Sequence, residues 1–335
     1  MVSADSNRAQ IPHDSNQSHS KTPSESPYTL RRRQIRHLRR DSLAVAEAFQ
    51  WIRKTNVECG HRSVGVSLWN PREDFLSADS GPKLRYLPSR LWLIGLGHIG
   101  QAFLWTLGLL PYNHDESLGL VLQDYESLTK ANLSTGVLTF PGEVGSRKTR
   151  ALGAWCDRRG FQNLIVERRF AANFHIGDDE PSVGVCAVDN PLARSAVEKV
   201  GFKQVIEGGL GSEGEEYQAF RLHSFPAPKE ATAIWTSDLA NTGIGGNIDM
   251  PAYKALGKDI SDPCGITMLA GKAVGAAFVG VYLSTLMLAE LLRDLHGGSR
   301  HQLIDGSLRT ARVHTFPLER TIDRPIPHLL VAAGS

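Results

Sequence analysis

None of the four cysteines, Cys59, Cys156, Cys186 and Cys264, stands in a CxxC pair. That absence argues against a disulfide framework and a cysteine-only zinc site, both of which need closely spaced thiols. An excess of charge of either sign is missing too: 37 basic residues face 35 acidic ones, a formal net charge of +2. No global nucleic-acid or membrane-surface signature follows, because those rest on a strong field of one sign. The polar start lacks the apolar core of a secretory leader, so a reducing cytoplasm is the expected setting. The stretch Ala273 to Ala289 carries no charge, but a membrane span takes roughly 20 predominantly apolar residues. Lys272 and Glu290 bound it, and Gly275, Gly280, Ser284 and Thr285 dilute it. A buried helix lying close against a sheet is the expectation. No internal repeat at a regular period is present.

What is there allows a sizeable core: 335 residues, of which 41% are hydrophobic, suffice for one large α/β domain with appendages or two modest domains. Residues 1–28 are rich in Ser, Asn, Gln, His and Pro and cannot bury enough surface to offset ordering entropy, which predicts disorder. Six arginines fall between Arg31 and Arg40, ahead of an amphipathic helical pattern through Leu43, Val45, Ala46, Phe49 and Ile52. A solvated helix face accounts for the arginines, and docking to an acidic or phosphate-rich partner is the sharper alternative. Cys59 to Arg90 reads as a loop-rich lead-in with a short strand near Val64–Leu68.

From Leu91 the rhythm becomes that of strands and helices in turn. Apolar runs at Leu91–Ile94, Leu118–Gln123, Asn163–Val166, Val183–Val188 and Lys203–Ile206 alternate with helical patterns at Gln101–Leu110, Thr149–Arg159 and Ala193–Val200. That alternation predicts an α/β fold, a Rossmann-like, mostly parallel sheet with helices on both faces. After Gly211 the pattern blurs, with one or two strands expected between Tyr217 and Trp235.

Between the first strand and its helix lies Gly95-Leu96-Gly97-His98-Ile99-Gly100. In that context Gly95 permits a tight turn, Gly97 lets backbone approach a phosphate, and Gly100 lets helix pack on strand. Phosphate then meets the free N–H groups and positive dipole end of the helix. Asp124 ends the second strand, where a carboxylate can accept from both ribose hydroxyls. So far NAD, FAD and ATP fit about equally.

Further along, Asp124 and Glu126 form an acidic pair, Asn132-Leu133 follows, and then Val144-Gly145-Ser146-Arg147-Lys148. Downstream come Asp189-Asn190-Pro191-Leu192-Ala193-Arg194, Glu207-Gly208-Gly209, and Cys264-Gly265 before a Val- and Gly-rich helix. This ordered series resembles the ThiF/MoeB/HesA superfamily, to which the ubiquitin-activating enzymes belong. The resemblance spans about Leu91 to Leu295. It implies a ThiF-type nucleotide-binding domain over 89–315, behind a helical and loop-rich extension (29–88) and ahead of a C-terminal tail (316–335).

Family members bind ATP and Mg²⁺ and adenylate the C-terminal glycine of a ubiquitin-like or sulfur-carrier protein. Positioning and electrostatics do most of that work. The resemblance places Gly95, Gly97 and Gly100 around the phosphates, and Asp124 on the ribose with Glu126 beside it. Asn132 and Lys148 would face the phosphates, and Asp189 would coordinate Mg²⁺. Lys148 and Asp189 therefore stand as catalytic candidates. Cys264, just ahead of a helix N-terminus, is the candidate for a thioester or persulfide. Plainer readings stand beside these: Lys148 as a solvated helix start, Asp189-Asn190 as a helix cap, Asn132 as a turn residue, Cys264 as a small hydrophobe. Cys156 and Cys186 read as core. A homodimer is a further expectation from the family.

Two departures stand out. Thr135 occupies the position of the family's phosphate-contacting arginine, with Arg147 or the Arg31–Arg40 segment of a partner subunit as candidate substitutes. Cysteine pairs for a structural zinc are missing, and the short span from Gly211 to Cys264 leaves no room for a large catalytic-cysteine domain. Three functions follow: an adenylyltransferase, an ATP-binding scaffold that has lost adenylation, and a nicotinamide-dependent oxidoreductase that would leave Lys148 and Cys264 unexplained.

Overall fold

The computed structural model describes residues 27–77, 81–112, 118–211, 217–241, 275–318 and 330–332. A long helix α1 (Pro27–Arg53) precedes a short strand β1 (Tyr86–Pro88) and the sheet strand β2 (Arg90–Ile94). Next come α2 (His98–Leu107), β3 (Gly119–Gln123), the single turn α3 (Asn132–Thr135), α4 (Lys148–Arg158) and β4 (Gln162–Val166). β5 (Val183–Cys186), α5 (Pro191–Ser195), β6 (Gln204–Leu210) and β7 (Ala219–Phe225) follow. The chain continues through α6 (Ala231–Asn241), α7 (Ala277–Leu295), β8 (His301–Ser307), β9 (Arg312–Pro317) and β10 (Leu330–Ala332).

Eight strands form one sheet in the order β4-β3-β2-β5-β6-β7-β8-β9. The first five are parallel and the last three antiparallel. Side chains alternate across it, as the two-residue period of a strand demands. Leu91, Leu93, Leu120, Leu122, Val185 and Ile206 enter one core with α1, α2, α4 and α7. Trp92, Ile94, Val121, Cys186 and Val205 enter a second, smaller core with Ala193 of α5 and Trp235 of α6. The fold is thus the expected α/β sheet covered on both faces.

The uncharged stretch supplies α7, whose residues Val279 to Arg293 are all buried. A helix apolar all round belongs in a core. Tyr282, Leu283 and Leu286 lie under the sheet, each contributing about 1.5–3 kcal/mol by burial. Among the described residues no helix is long and apolar enough to cross a membrane. Leu43, Ala46 and Gln50 of α1 are buried at helical spacing. The Gln50 amide donates to the Leu308 carbonyl at 3.1 Å, tying α1 to the turn between β8 and β9.

Several local expectations are corrected. Val64–Leu68 forms no strand. No ladder meets it there; instead the Arg293 guanidinium donates to the Leu68 carbonyl at 3.0 Å. The strand expected at Lys203–Ile206 runs on through Glu207, Gly208 and Gly209 to Leu210, where the missing side chain at Gly208 leaves room for Met287 and that at Gly209 for Arg194. The helical pattern at Ala193–Val200 yields only α5 and a run of turns to Gly201. Of the one or two strands expected between Tyr217 and Trp235, one forms, β7, and α6 begins in the same stretch. β9 runs across residue 316, and β10 pairs antiparallel with β1. Of residues 1–28, expected to be disordered, Pro27 and Tyr28 open α1, and 1–26 lie outside the described residues.

Candidate functional site

Strand order reverses at β2: β3 and β4 continue to one side, β5 and β6 to the other. In open α/β sheets the crevice beyond the carboxyl ends of the strands at such a point is where ligands bind. Three loops meet there, after β2, β3 and β5. The Ala187 N–H donates to the Ile94 carbonyl at 2.8 Å, which holds the exit of β5 beside the glycine loop.

The three glycines of that loop have different jobs. Gly95 has φ +86°, a left-handed conformation that side chains rarely adopt. At Gly100 a Cβ would collide with the Gly95 carbonyl. At Gly97 a Cβ would meet nothing within 4 Å. The fold therefore requires Gly95 and Gly100, whereas Gly97 leaves an open cradle. It is the N-cap of α2 and, as a glycine, offers no side chain of its own to the first-turn N–H groups. Uncapped amides of this kind are donors in want of an acceptor, and an anion suits them.

Asp124 shapes the loop directly. One carboxylate oxygen accepts from the Leu96 N–H at 2.7 Å, the other from the Glu126 N–H at 2.8 Å. Lys148, at the start of α4, places its ammonium 2.6 Å from Glu126 and 4.0 Å from Asp124. A short clasp of backbone aligns them. Lys148 N–H donates to the Glu126 carbonyl at 3.1 Å, and Leu128 N–H to the Ser146 carbonyl at 2.8 Å. Ser127 and Arg147 form an isolated antiparallel bridge within it. The Lys148 side chain is only 7% exposed, while Glu126 is 44% exposed. Lys148 is thus no solvated helix start.

The other candidates fall variously. Asn132 accepts from the Thr129 N–H at 2.8 Å and from its hydroxyl at 3.1 Å, so its carbonyl oxygen shapes a turn. Asp189 is exposed just beyond β5, and the cap of α5 is Asn190, which accepts from Leu192 and Ala193. Thr135 donates back to the Ala131 carbonyl at 3.3 Å. Arg147 donates to the Tyr125 carbonyl, and Arg169 stacks on the Tyr125 ring at 4.4 Å. Side chains of residues 31–39 and all of Cys264 lie outside the described residues. Burial pushes the Cys156 and Cys186 thiols up to about 12 and also raises Cys59, which sets all three against thiolate chemistry. Among the described residues no group of three or more His, Cys, Asp and Glu side chains is placed to hold a metal.

One residue of the site went unread in the sequence. Gln101, fully buried on α2, donates to the Leu96 carbonyl at 3.3 Å. Its oxygen accepts from the Leu138 N–H at 3.1 Å and the Thr139 hydroxyl at 3.0 Å. It fastens the glycine loop to the segment after α3. A glutamine inside an otherwise apolar helix start was the available signal.

A family model described as the BilD C-terminal domain matches residues 87–298. The bacterial E1-like protein BilD of Collimonas sp. (strain OK412) is 40% identical over 293 residues, covering 85% of this chain and 63% of that protein. The chain therefore spans less than two thirds of the length of that relative. Among solved structures, E. coli MccB with ATP is 14% identical with a TM-score of 0.45, over 72% of this chain and 66% of that one. E. coli tRNA N6-threonylcarbamoyladenosine dehydratase, TcdA, is 12% identical with a TM-score of 0.40, over 62% of this chain and 86% of that one.

Proposed function

This chain belongs to the family of the BilD C-terminal domain, and from that premise we propose that it is an ATP-dependent adenylyltransferase. Its substrate would be the C-terminal glycine carboxylate of a ubiquitin-like or sulfur-carrier protein. One observation carries the reading. A buried ammonium, Lys148, is linked through Asp124 to the loop whose middle glycine leaves an open cradle at uncapped helix amides.

Those residues fit a polyphosphate. The cradle at Gly97 lets backbone approach phosphate oxygens, and the α2 amides donate to them. Lys148 neutralises charge where it would otherwise accumulate, in a setting shielded from water. Asp124 keeps the loop in shape and, in this reading, accepts from the ribose hydroxyls. Asp189, exposed at the exit of β5, would hold Mg²⁺, an ion that favours oxygen ligands beside phosphate. Bound ATP supplies the group transferred to the glycine carboxylate. Cys264 stays a proposed acceptor of the activated partner, and a homodimer stays part of the proposal.

The test is ATP–pyrophosphate exchange with candidate partners ending in Gly-Gly. Partner-dependent exchange is expected. A second reading, ATP binding without adenylation, is favoured by Thr135, whose hydroxyl turns back onto its own helix. ATP binding without exchange for any such partner would establish that scaffold role. Neither binding nor exchange would overturn both readings.

A further inference from the structure

The glycine loop carries one side chain that the resemblance leaves without a role. His98, between Gly97 and Ile99, is the first residue of α2, and its imidazole packs against the start of α7. A Cβ at Gly275 would collide with its Nδ1, and a Cβ at Gly280 with its Nε2. Those two glycines therefore form a notch that admits the ring. Burial pushes the imidazole below its ordinary value of 6.5, although hydrogen bonds at the Ala277 and Ala276 backbone work the other way. The ring thus meets α7 uncharged near neutral pH. Its Nε2 is enclosed without a hydrogen-bond partner among the described residues, so that end of the ring supplies shape rather than a bond. One turn along α7 from Gly280, the buried Ser284 hydroxyl donates to the Ile99 carbonyl at 3.1 Å. Both contacts grip the first turn of α2.

That turn is where the phosphate reading needs rigidity. Amides serve an anion only while they keep a fixed direction, and helix ends fray. The N-cap of α2 is Gly97, which has no side chain to steady them. We propose that His98 is a positioning residue for the cradle: wedged between Gly275 and Gly280, it fastens the first turn of α2 to α7 and so aims the amides at a polyphosphate. The inference rests on the reading of the cradle as a phosphate site. His98 acts through those amides and not by touching the ligand.

Thermal unfolding of the full chain, and calorimetric titration with inorganic pyrophosphate and separately with Mg·ATP, test this. The variants are His98→Ala, Gly280→Ala, both together, and Glu290→Gln as a change further along α7. Gly280→Ala alone must expel the ring and should lower the unfolding midpoint by at least about 3 °C. In the His98→Ala background the same change should be neutral or stabilising, because alanine is the better helix former. His98→Ala and Gly280→Ala should each weaken binding of both ligands about tenfold, with no further loss in the double variant. Glu290→Gln should unfold earlier than wild type yet bind with wild-type affinity, since its site is remote from the cradle.

Unchanged affinity in a folded His98→Ala protein would overturn the proposal. So would equal destabilisation by Gly280→Ala in both backgrounds, which would mean that the ring does not fill the notch. An equal loss of affinity in Glu290→Gln would reduce the effect to general loosening of α7, with the same consequence. If wild type binds pyrophosphate but not ATP, the ATP reading falls while the comparison of variants still decides the role of His98. If it binds neither, the phosphate reading falls and this proposal with it.

Discussion

Two buried cations define two regions of this molecule, and they differ in how far the carboxylate beside each is enclosed. On α7, Arg293 is 1% exposed against Glu290 at 0%. The Glu290 carboxylate also accepts from the His301 N–H at 2.6 Å and meets the His301 ring at 3.2 Å. Every member of that cluster is enclosed by α7, β8 and the loop ending at Leu68. Lys148 is buried almost as deeply, but its nearest carboxylate is nearly half exposed, and Asp124 beside it ties to the glycine loop. A sealed cluster joins elements to one another. An open one, on the proposed reading, is organised for a ligand that comes from outside.

The sharpest way to break this contrast is Glu290→Ala. It strands the Arg293 guanidinium in a closed interior and should cost about 3–5 kcal/mol in denaturant unfolding. A cost below 1 kcal/mol would show that the α7 cluster is not sealed as described.

The glycines divide along the same line. Gly100→Ala forces a Cβ into the Gly95 carbonyl and should lower stability by about 1–3 kcal/mol. Gly97→Ala meets only open space, so its stability should stay within about 0.5 kcal/mol of wild type. Its ATP affinity should nevertheless fall. Equal destabilisation by both changes would remove the argument for a cradle.

pH offers a third test. Burial works to raise the Glu290 carboxyl, but the His301 hydrogen bond and the Arg293 charge outweigh it and hold the carboxyl below its ordinary value of 4.5. A carboxyl depressed in the folded state contributes stability above its unfolded value, and that contribution is lost as pH falls through the folded one. Wild type should therefore lose stability as pH falls below about 4.5, and Glu290→Gln should lose less over that window. Parallel profiles in acid unfolding would contradict the assignment.

Lys148→Met should change stability modestly, by less than about 1 kcal/mol in denaturant unfolding. Glu126 is already half solvated, and Asp124 keeps its two backbone donors.

The same distinction explains what could be read from the sequence. The parallel strands β2, β3, β5 and β6 were legible because they are largely buried and appear as short apolar runs, such as Leu91–Ile94, whereas the edge strand β4 was marked by its apolar residues alone, since none of them is buried. β8 and β9 were not, since in His301–Ser307 only His301 and Ile304 are buried and the apolar signal is thin. The continuation of β6 through Glu207-Gly208-Gly209 was not legible because glycine marks close approach as well as turns, and only the structure shows Met287 and Arg194 filling that room. Lys148, Asp124 and Glu126 were marked by their ordered motif. Their mutual geometry was not, because a lysine in a charged string looks the same whether solvated or buried. Gln101 and the Glu290–Arg293–His301 cluster depend on contacts between distant segments, for which no local pattern exists.

The central claim is that the open cluster at Lys148 is a nucleotide phosphate site. Calorimetric titration of Mg·ATP into wild type and Lys148→Met tests it most directly. The expected result is saturable binding by wild type and at least about tenfold weaker binding by a variant that is equally well folded. Equal affinity in the two proteins would contradict it.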